Sequence, residues 1–176
     1  LWGAYGTGGQ RCTSTSRLLI DKAVSQQIVA RLYARAAELY TTKPAINYSP
    51  IISHKQLLKI DRMVKEAISE GAELICGGKI LDDGSDSGYY YAPTILRVIP
   101  SMKIAQQEVF GPVLCVIEIN SSSKEDCLKQ ALKIANSVEY GLSNAIYTSD
   151  INLAMQAAHG FESGLVYINA PTIGAD

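Results

Sequence analysis

Apolar positions along this chain switch repeatedly between a period of two and a period near 3.6, so short strands and helices are expected to alternate. Residues 17–20 read as a short strand, after which Asp21 caps a helix running to about Tyr40. That helix would place Val24, Ile28, Leu32, Ala36 and Leu39 on one face. Pro44 and Pro50 break the chain into a loop over residues 41–52. Ser53 then opens a second helix with Leu57, Ile60, Val64 and Ile68 inward, and Gly71 stops it. Residues 72–76 read as a buried strand, punctuated by Gly77-Gly78. Residues 82–88 are acidic, serine-rich and bounded by glycine, the composition of a surface turn.

The second half continues the alternation. Residues 89–96 look extended, interrupted at Pro93, and residues 113–119 form the clearest strand, a β-branched run with no polar break until Glu118. Ser122 or Ser123 caps a helix with Leu128, Ala131, Leu132 and Ala135 inward. Residues 144–148 read as a strand, and Asp150 leads into a helix with Ile151, Ala154, Met155 and Ala158 on one side. Residues 164–169 close the series as a strand, while Leu1-Trp2 begin within a helix that has no cap. This pattern implies an α/β fold, a largely parallel sheet flanked by helices.

Composition narrows the partners. The 176 residues are 47% hydrophobic and 19% charged, the make-up of one globular domain or a large piece of one. Sixteen basic against seventeen acidic residues leave a net charge of −1 with no Lys/Arg block, so neither nucleic acid nor an anionic membrane is an expected partner. Apolar runs such as residues 113–117 are too short to span a bilayer, and no signal peptide is readable. The four cysteines, at positions 12, 76, 115 and 127, lack the close spacing of a zinc knuckle or a redox dithiol. Reduced thiols in a cytoplasmic protein are the simplest reading. The two histidines, His54 and His159, have no second ligand spaced to suggest a metal site.

The chemistry concentrates around Gly9-Gln10-Arg11-Cys12, followed by Thr13-Ser14-Thr15-Ser16. A cysteine between a glycine pair and a run of hydroxyl residues has backbone freedom on one side and hydrogen-bond donors on the other. Such a residue is either a nucleophile or a small buried apolar group. Gly3, Gly6, Gly8 and Gly9 do not form GxGxxG, and no Lys-Ser/Thr pair follows, so a phosphate cradle is not expected.

Two further stretches matter beside the cysteine segment. One is Glu108-Val109-Phe110-Gly111-Pro112-Val113. The other combines Tyr140-Gly141-Leu142-Ser143 with the later Gly164-Leu165-Val166-Tyr167-Ile168-Asn169-Ala170-Pro171-Thr172. In this order and spacing, and with Tyr90-Tyr91-Ala92-Pro93-Thr94-Ile95, they resemble the aldehyde dehydrogenase superfamily over nearly the whole chain. The likeness corresponds to the catalytic domain, so residues 1–176 are read as a nucleophile-bearing domain segment.

The resemblance implies roles. Cys12 matches the nucleophile that attacks an aldehyde to form a thioester, with hydride passing to NAD or NADP. Glu108 matches the glutamate that binds the nicotinamide-ribose hydroxyls, a job suited to a carboxylate with two accepting oxygens. Phe110 matches an aromatic residue bordering the nicotinamide. The matching context favours a nucleophilic role for Cys12, while Cys76, Cys115 and Cys127, each within an apolar strand or helix, are expected to be structural.

Departures from the family pattern are equally specific. The Rossmann domain, the general-base glutamate, the oxyanion-hole asparagine and the oligomerisation strand have no counterparts here, and Ser49-Pro50 stands where Gly-Pro is typical. The expectation is a segment of a longer protein, inactive alone and completed by the remainder of its own chain and by homo-oligomer formation. The implied reaction is oxidation of a small aldehyde, with a weak leaning towards semialdehydes from residues 168–175. The rivals are a CoA-acylating or phosphorylating relative, and a non-catalytic module kept for its fold or assembly surface. A cysteine hydrolase would need a histidine placed to serve Cys12, and none is evident.

Overall fold

The structure, a computed structural model, describes residues 1–41, 49–81 and 88–173. Most of the expected 41–52 loop and of the acidic turn after residue 81 lies outside the described residues.

A helical turn, α1 (Trp2–Tyr5), runs into a 3-10 turn, Gly6–Gly9. Then come β1 (Arg17–Asp21), α2 (Lys22–Thr41), α3 (His54–Ser69), β2 (Glu73–Cys76), β3 (Ile80–Leu81), β4 (Tyr90–Tyr91) and β5 (Thr94–Arg97). The chain continues through α4 (Lys103–Gln106), β6 (Val113–Ile119), α5 (Lys124–Ala135), β7 (Ser143–Ile146), α6 (Ile151–Gly160) and β8 (Leu165–Ile168).

The main sheet has the order β1-β6-β5-β2. β1 and β5 flank β6 and run parallel to it, whereas β2 adds an antiparallel edge to β5. β3 and β4 make an antiparallel ribbon, and β7 and β8 form a separate parallel pair. The largely parallel expectation therefore holds for the centre of the sheet.

β6 is buried along its length except at Glu118, because helices cover both faces. Its alternating side chains feed two cores. Val113, Cys115 and Ile117 pack with Leu57, Ile60, Val64, Tyr91 and Leu96, while Leu114 and Val116 pack with Tyr5, Val29, Ala36 and Ile95. A third cluster joins Leu128 to Leu153 and Ala157 between α5 and α6.

The sequence-read caps form as expected. Ser53 Oγ accepts the Gln56 N–H at 3.2 Å and Ser123 Oγ accepts the Asp126 N–H at 3.1 Å. Asp150 Oδ1 takes the N–H groups of Asn152 and Leu153 at 2.8 and 3.3 Å, and Asp21 Oδ1 takes that of Ala23 at 2.8 Å.

Helix faces follow the periodic reading in part. In α2 Ala36 is buried and Ile28, Leu32 and Leu39 pack partly buried against the same core, joined by Ser25 and Val29, while Val24 is exposed. Ser25 lies on the same buried face as Val29 and Ala36, and its hydroxyl is satisfied there by donating to Glu118 Oε1 on β6 at 2.5 Å. In α3 Ile68 is exposed while Met63 and Ala67 are buried. In α6 Leu153, Ala154 and Ala157 turn inward towards α5, leaving Ile151 and Met155 exposed. The strand expected to be buried, β2, has Glu73 and Leu74 exposed because it forms the sheet edge. Residues 89–96 divide at Pro93 into β4 and β5, which belong to different sheets.

Candidate active site

Cys12 follows a stretch of left-handed backbone: Thr7, Gly8 and Gly9 have φ of 57°, 65° and 66°. Glycine is required at position 9 for a second reason. A Cβ there would collide with the Gly111 carbonyl, 2.6 Å from its carbon, and would lie 2.9 Å from the Ala4 oxygen. The backbones of the cysteine segment and of the segment following Glu108 are therefore in direct contact. Beyond Gln10 the chain turns tightly, with the Arg11 N–H donating to Ser14 Oγ at 3.2 Å and the Ser14 N–H to the Arg11 oxygen at 3.0 Å.

Cys12 sits in this turn and is the one exposed cysteine; Cys76 and Cys115 are buried and Cys127 is partly so. Burial pushes the Cys115 thiol up to about 12 and raises Cys76 and Cys127 above the ordinary thiol value. Among the described residues the Cys12 N–H has no acceptor.

The three sequence stretches converge. Glu108 and Phe110 lie in the loop between α4 and β6, both exposed, with Phe110 in the left-handed region at φ 56°. The Glu108 N–H donates to the Tyr140 hydroxyl at 3.2 Å, which joins the second stretch to the third. The Thr15 and Thr172 hydroxyls are 2.9 Å apart, which joins the first to the last. Gln10 ties the cysteine side to the entrance of α3: its Nε2 donates to the Pro50 oxygen at 3.0 Å and its Oε1 accepts the Ile52 N–H at 2.8 Å. From α3, Gln56 Nε2 donates to the carbonyls of Val109 and Phe110 at 3.1 and 3.0 Å.

Sequence reasoning assigned no role to Gln10, Gln56 or Tyr140. The local signal at Gln56 points elsewhere, since Ser53 followed three residues later by glutamine reads as a capping box. Ser53 does cap the Gln56 N–H, but the amide side chain reaches across to residues 109 and 110. The histidines stand apart from this chemistry. The His54 ring lies 5.6 Å from that of Tyr89, and His159 occupies the last turn of α6. No group of three or more His, Cys, Asp or Glu residues able to hold a metal occurs among the described residues. None of the described helices is long and apolar enough to cross a membrane.

Comparison with known proteins gives concordant matches. Residues 1–176 match the model of the aldehyde dehydrogenase family. The chain is 36% identical over 173 residues to the chloroplastic betaine aldehyde dehydrogenase of Beta vulgaris, covering 96% of this chain and 33% of that protein. It is 34% identical over 179 residues to the alpha-ketoglutaric semialdehyde dehydrogenase of Bacillus subtilis strain 168, covering 99% of this chain and 36% of that protein. Among solved structures, betaine aldehyde dehydrogenase from Staphylococcus aureus in complex with NAD+ superposes with a TM-score of 0.86 at 30% identity, covering 96% of this chain and 33% of that one. The chain thus spans about a third of the length of these relatives. With a family match over every residue and the same fold in a solved relative, the chain belongs to the aldehyde dehydrogenase family.

Proposed function

We propose that this chain is the nucleophile-bearing catalytic domain segment of an enzyme that oxidises an aldehyde to a carboxylic acid with NAD or NADP, through a thioester on Cys12. The observation that carries the reading is the contact of Gly9 with Gly111, which holds the one exposed thiol's segment against the segment bearing Glu108 and Phe110.

The residues fit a nicotinamide nucleotide. An exposed carboxylate at Glu108 can accept from both hydroxyls of a ribose, and the exposed ring of Phe110 offers a flat boundary beside a planar heterocycle. When bound, that cofactor supplies the acceptor for the hydride leaving the substrate carbon. The chain's own part begins with Cys12. As a thiolate it attacks the aldehyde carbon, and the carbonyl electron pair moves to oxygen. The Cys12 N–H, which has no acceptor among the described residues, donates to the oxyanion so formed. Loss of hydride to the bound cofactor restores the carbonyl as a thioester, and attack by water breaks the C–S bond, releasing the acid and a proton to solvent and returning the thiolate.

Support for a semialdehyde substrate comes from the name of the Bacillus subtilis relative, and support for NAD from the cofactor in the Staphylococcus aureus structure. Four free thiols agree with a reducing cytoplasmic setting. The reading includes homo-oligomer formation by the intact protein.

The test measures NADH or NADPH production from an aldehyde panel by the intact protein that carries this chain. Turnover is expected, and Cys12→Ala should lower kcat by at least about 10³-fold. Lack of turnover in the parent protein, or an active Cys12→Ala variant, would overturn the proposal. Product analysis separates hydrolysis from acyl transfer to CoA.

A further inference from the structure

Residues 108–110 have no strand or helix ladder of their own, yet Phe110 adopts a backbone conformation that side chains disfavour. Such a conformation persists where the surroundings over-determine it. Here three consecutive residues are held by side chains distant in sequence. The Glu108 N–H is taken by the Tyr140 hydroxyl at 3.2 Å. The Val109 and Phe110 carbonyls are both taken by Gln56 Nε2, at 3.1 and 3.0 Å. Gly111 completes the lock, since a Cβ there would approach Ile60 Cδ1 to 2.5 Å.

Gln56 is itself anchored. Ser53 caps its N–H, and Gln10, two residues before Cys12, accepts the Ile52 N–H at 2.8 Å. A continuous line of hydrogen bonds and helix therefore runs from the cysteine segment through the entrance of α3 to Phe110.

We infer that Gln56 and Tyr140 are positioning residues that act through the backbone of residues 108–110 to set the Glu108 carboxylate and the Phe110 ring relative to Cys12. The inference rests on the proposed ribose-binding role of Glu108. Without the Gln56 donors, Phe110 is free to leave the left-handed region, and the carboxylate turns with the backbone that carries it.

The experiment titrates the intact protein with NAD+ by calorimetry and follows melting, KM and kcat. Glu108→Gln serves as the reference. Gln56→Glu keeps side-chain length but loses both donors, and Tyr140→Phe loses only the hydroxyl. Glu108→Gln is expected to weaken NAD+ binding about fivefold or more, Gln56→Glu by a similar factor and Tyr140→Phe about two- to threefold. The loss should fall on KM for NAD+ more than on kcat. The double variant Glu108→Gln/Gln56→Glu should bind within about twofold of the weaker single variant, because Gln56 acts through Glu108.

If Gln56→Glu binds NAD+ as the parent does, or the two effects multiply, the positioning role of Gln56 is refuted while the Glu108 reading stands. If Tyr140→Phe binds as the parent does, its half of the clamp falls. If Glu108→Gln itself leaves binding unchanged, the ribose role fails and the inference with it. Should Gln56→Glu not fold, Gln56→Met removes the donors at similar length and is read by the same criteria.

Discussion

Replacing Gly9 with alanine would put a methyl group where the backbone of residue 111 already lies. The added Cβ would be 2.6 Å from the Gly111 carbonyl carbon and 2.9 Å from the Ala4 oxygen. Neither neighbour is the end of a flexible side chain, so the contact can be relieved only by moving the cysteine segment away from the Glu108 segment. Two costs add. Left-handed backbone at a residue with a Cβ costs about 1–2 kcal/mol, and overpacking a closed site costs typically about 1–3 kcal/mol. Gly71 isolates the first cost, because its φ is also positive, at 103°, and nothing lies within 4 Å of a Cβ built there. With about 2–4 °C per kcal/mol for a unit of this size, Gly9→Ala should melt roughly 4–20 °C below the parent and Gly71→Ala roughly 2–8 °C below it. Paired thermal scans check the difference, and NAD+ titration of the folded variants at low temperature checks the coupling. Gly9→Ala should weaken NAD+ binding and Gly71→Ala should not. Two variants that melt together, or a Gly9→Ala protein that binds NAD+ as the parent does, would refute the reasoning that this contact holds the site together.

Other outcomes follow from buried groups. Thr94 is fully buried, its hydroxyl donating to the Ala92 oxygen at 2.7 Å and accepting the Gly78 N–H at 2.9 Å, so Thr94→Val should cost about 1–3 kcal/mol in denaturant titration. Asp150→Ala leaves two helix N–H groups without their cap and should cost about 1 kcal/mol in the same assay, with cofactor binding unchanged. The Cys115 thiol is raised by burial from an ordinary value of 9.0 to about 12, so its neutral form is favoured by the fold. Its stabilising contribution is whole below the unfolded value and is lost as pH rises through the folded one, at up to about 1.4 kcal/mol per pH unit. Cys115→Val should therefore flatten the alkaline limb of a stability–pH profile. At pH 8, iodoacetamide should modify Cys12 in the native protein and reach Cys76 and Cys115 only on unfolding, which peptide mapping would show.

The sequence alone determined what local chemistry can encode. Ser53, Asp150 and one of Ser122 and Ser123 begin helices because a short oxygen-bearing side chain before an apolar-periodic run supplies the acceptor that the first turn needs, and the structure shows Ser123 to be the cap of α5. Residues 113–119 form the central strand because an apolar run rich in β-branched residues, with its one polar break at Glu118, suits a position buried on both faces. The order and spacing of motifs around Cys12, Glu108 and Phe110 carried the family, now matched over the whole chain. Tertiary structure decided everything that depends on a partner far along the chain. Ser25 rather than Val24 lies on the buried face of α2, and the partner that satisfies its hydroxyl there is Glu118 on β6, ninety-three residues later. β2 is an exposed antiparallel edge because of where β5 and β6 lie, and no pattern within residues 73–76 says so. Gly9 against Gly111, and Gln56 and Tyr140 on residues 108–110, are likewise contacts between segments whose own propensities are silent about each other. Periodicity and capping are properties of neighbouring residues, whereas a site is made when folding closes long loops and brings distant backbones into contact.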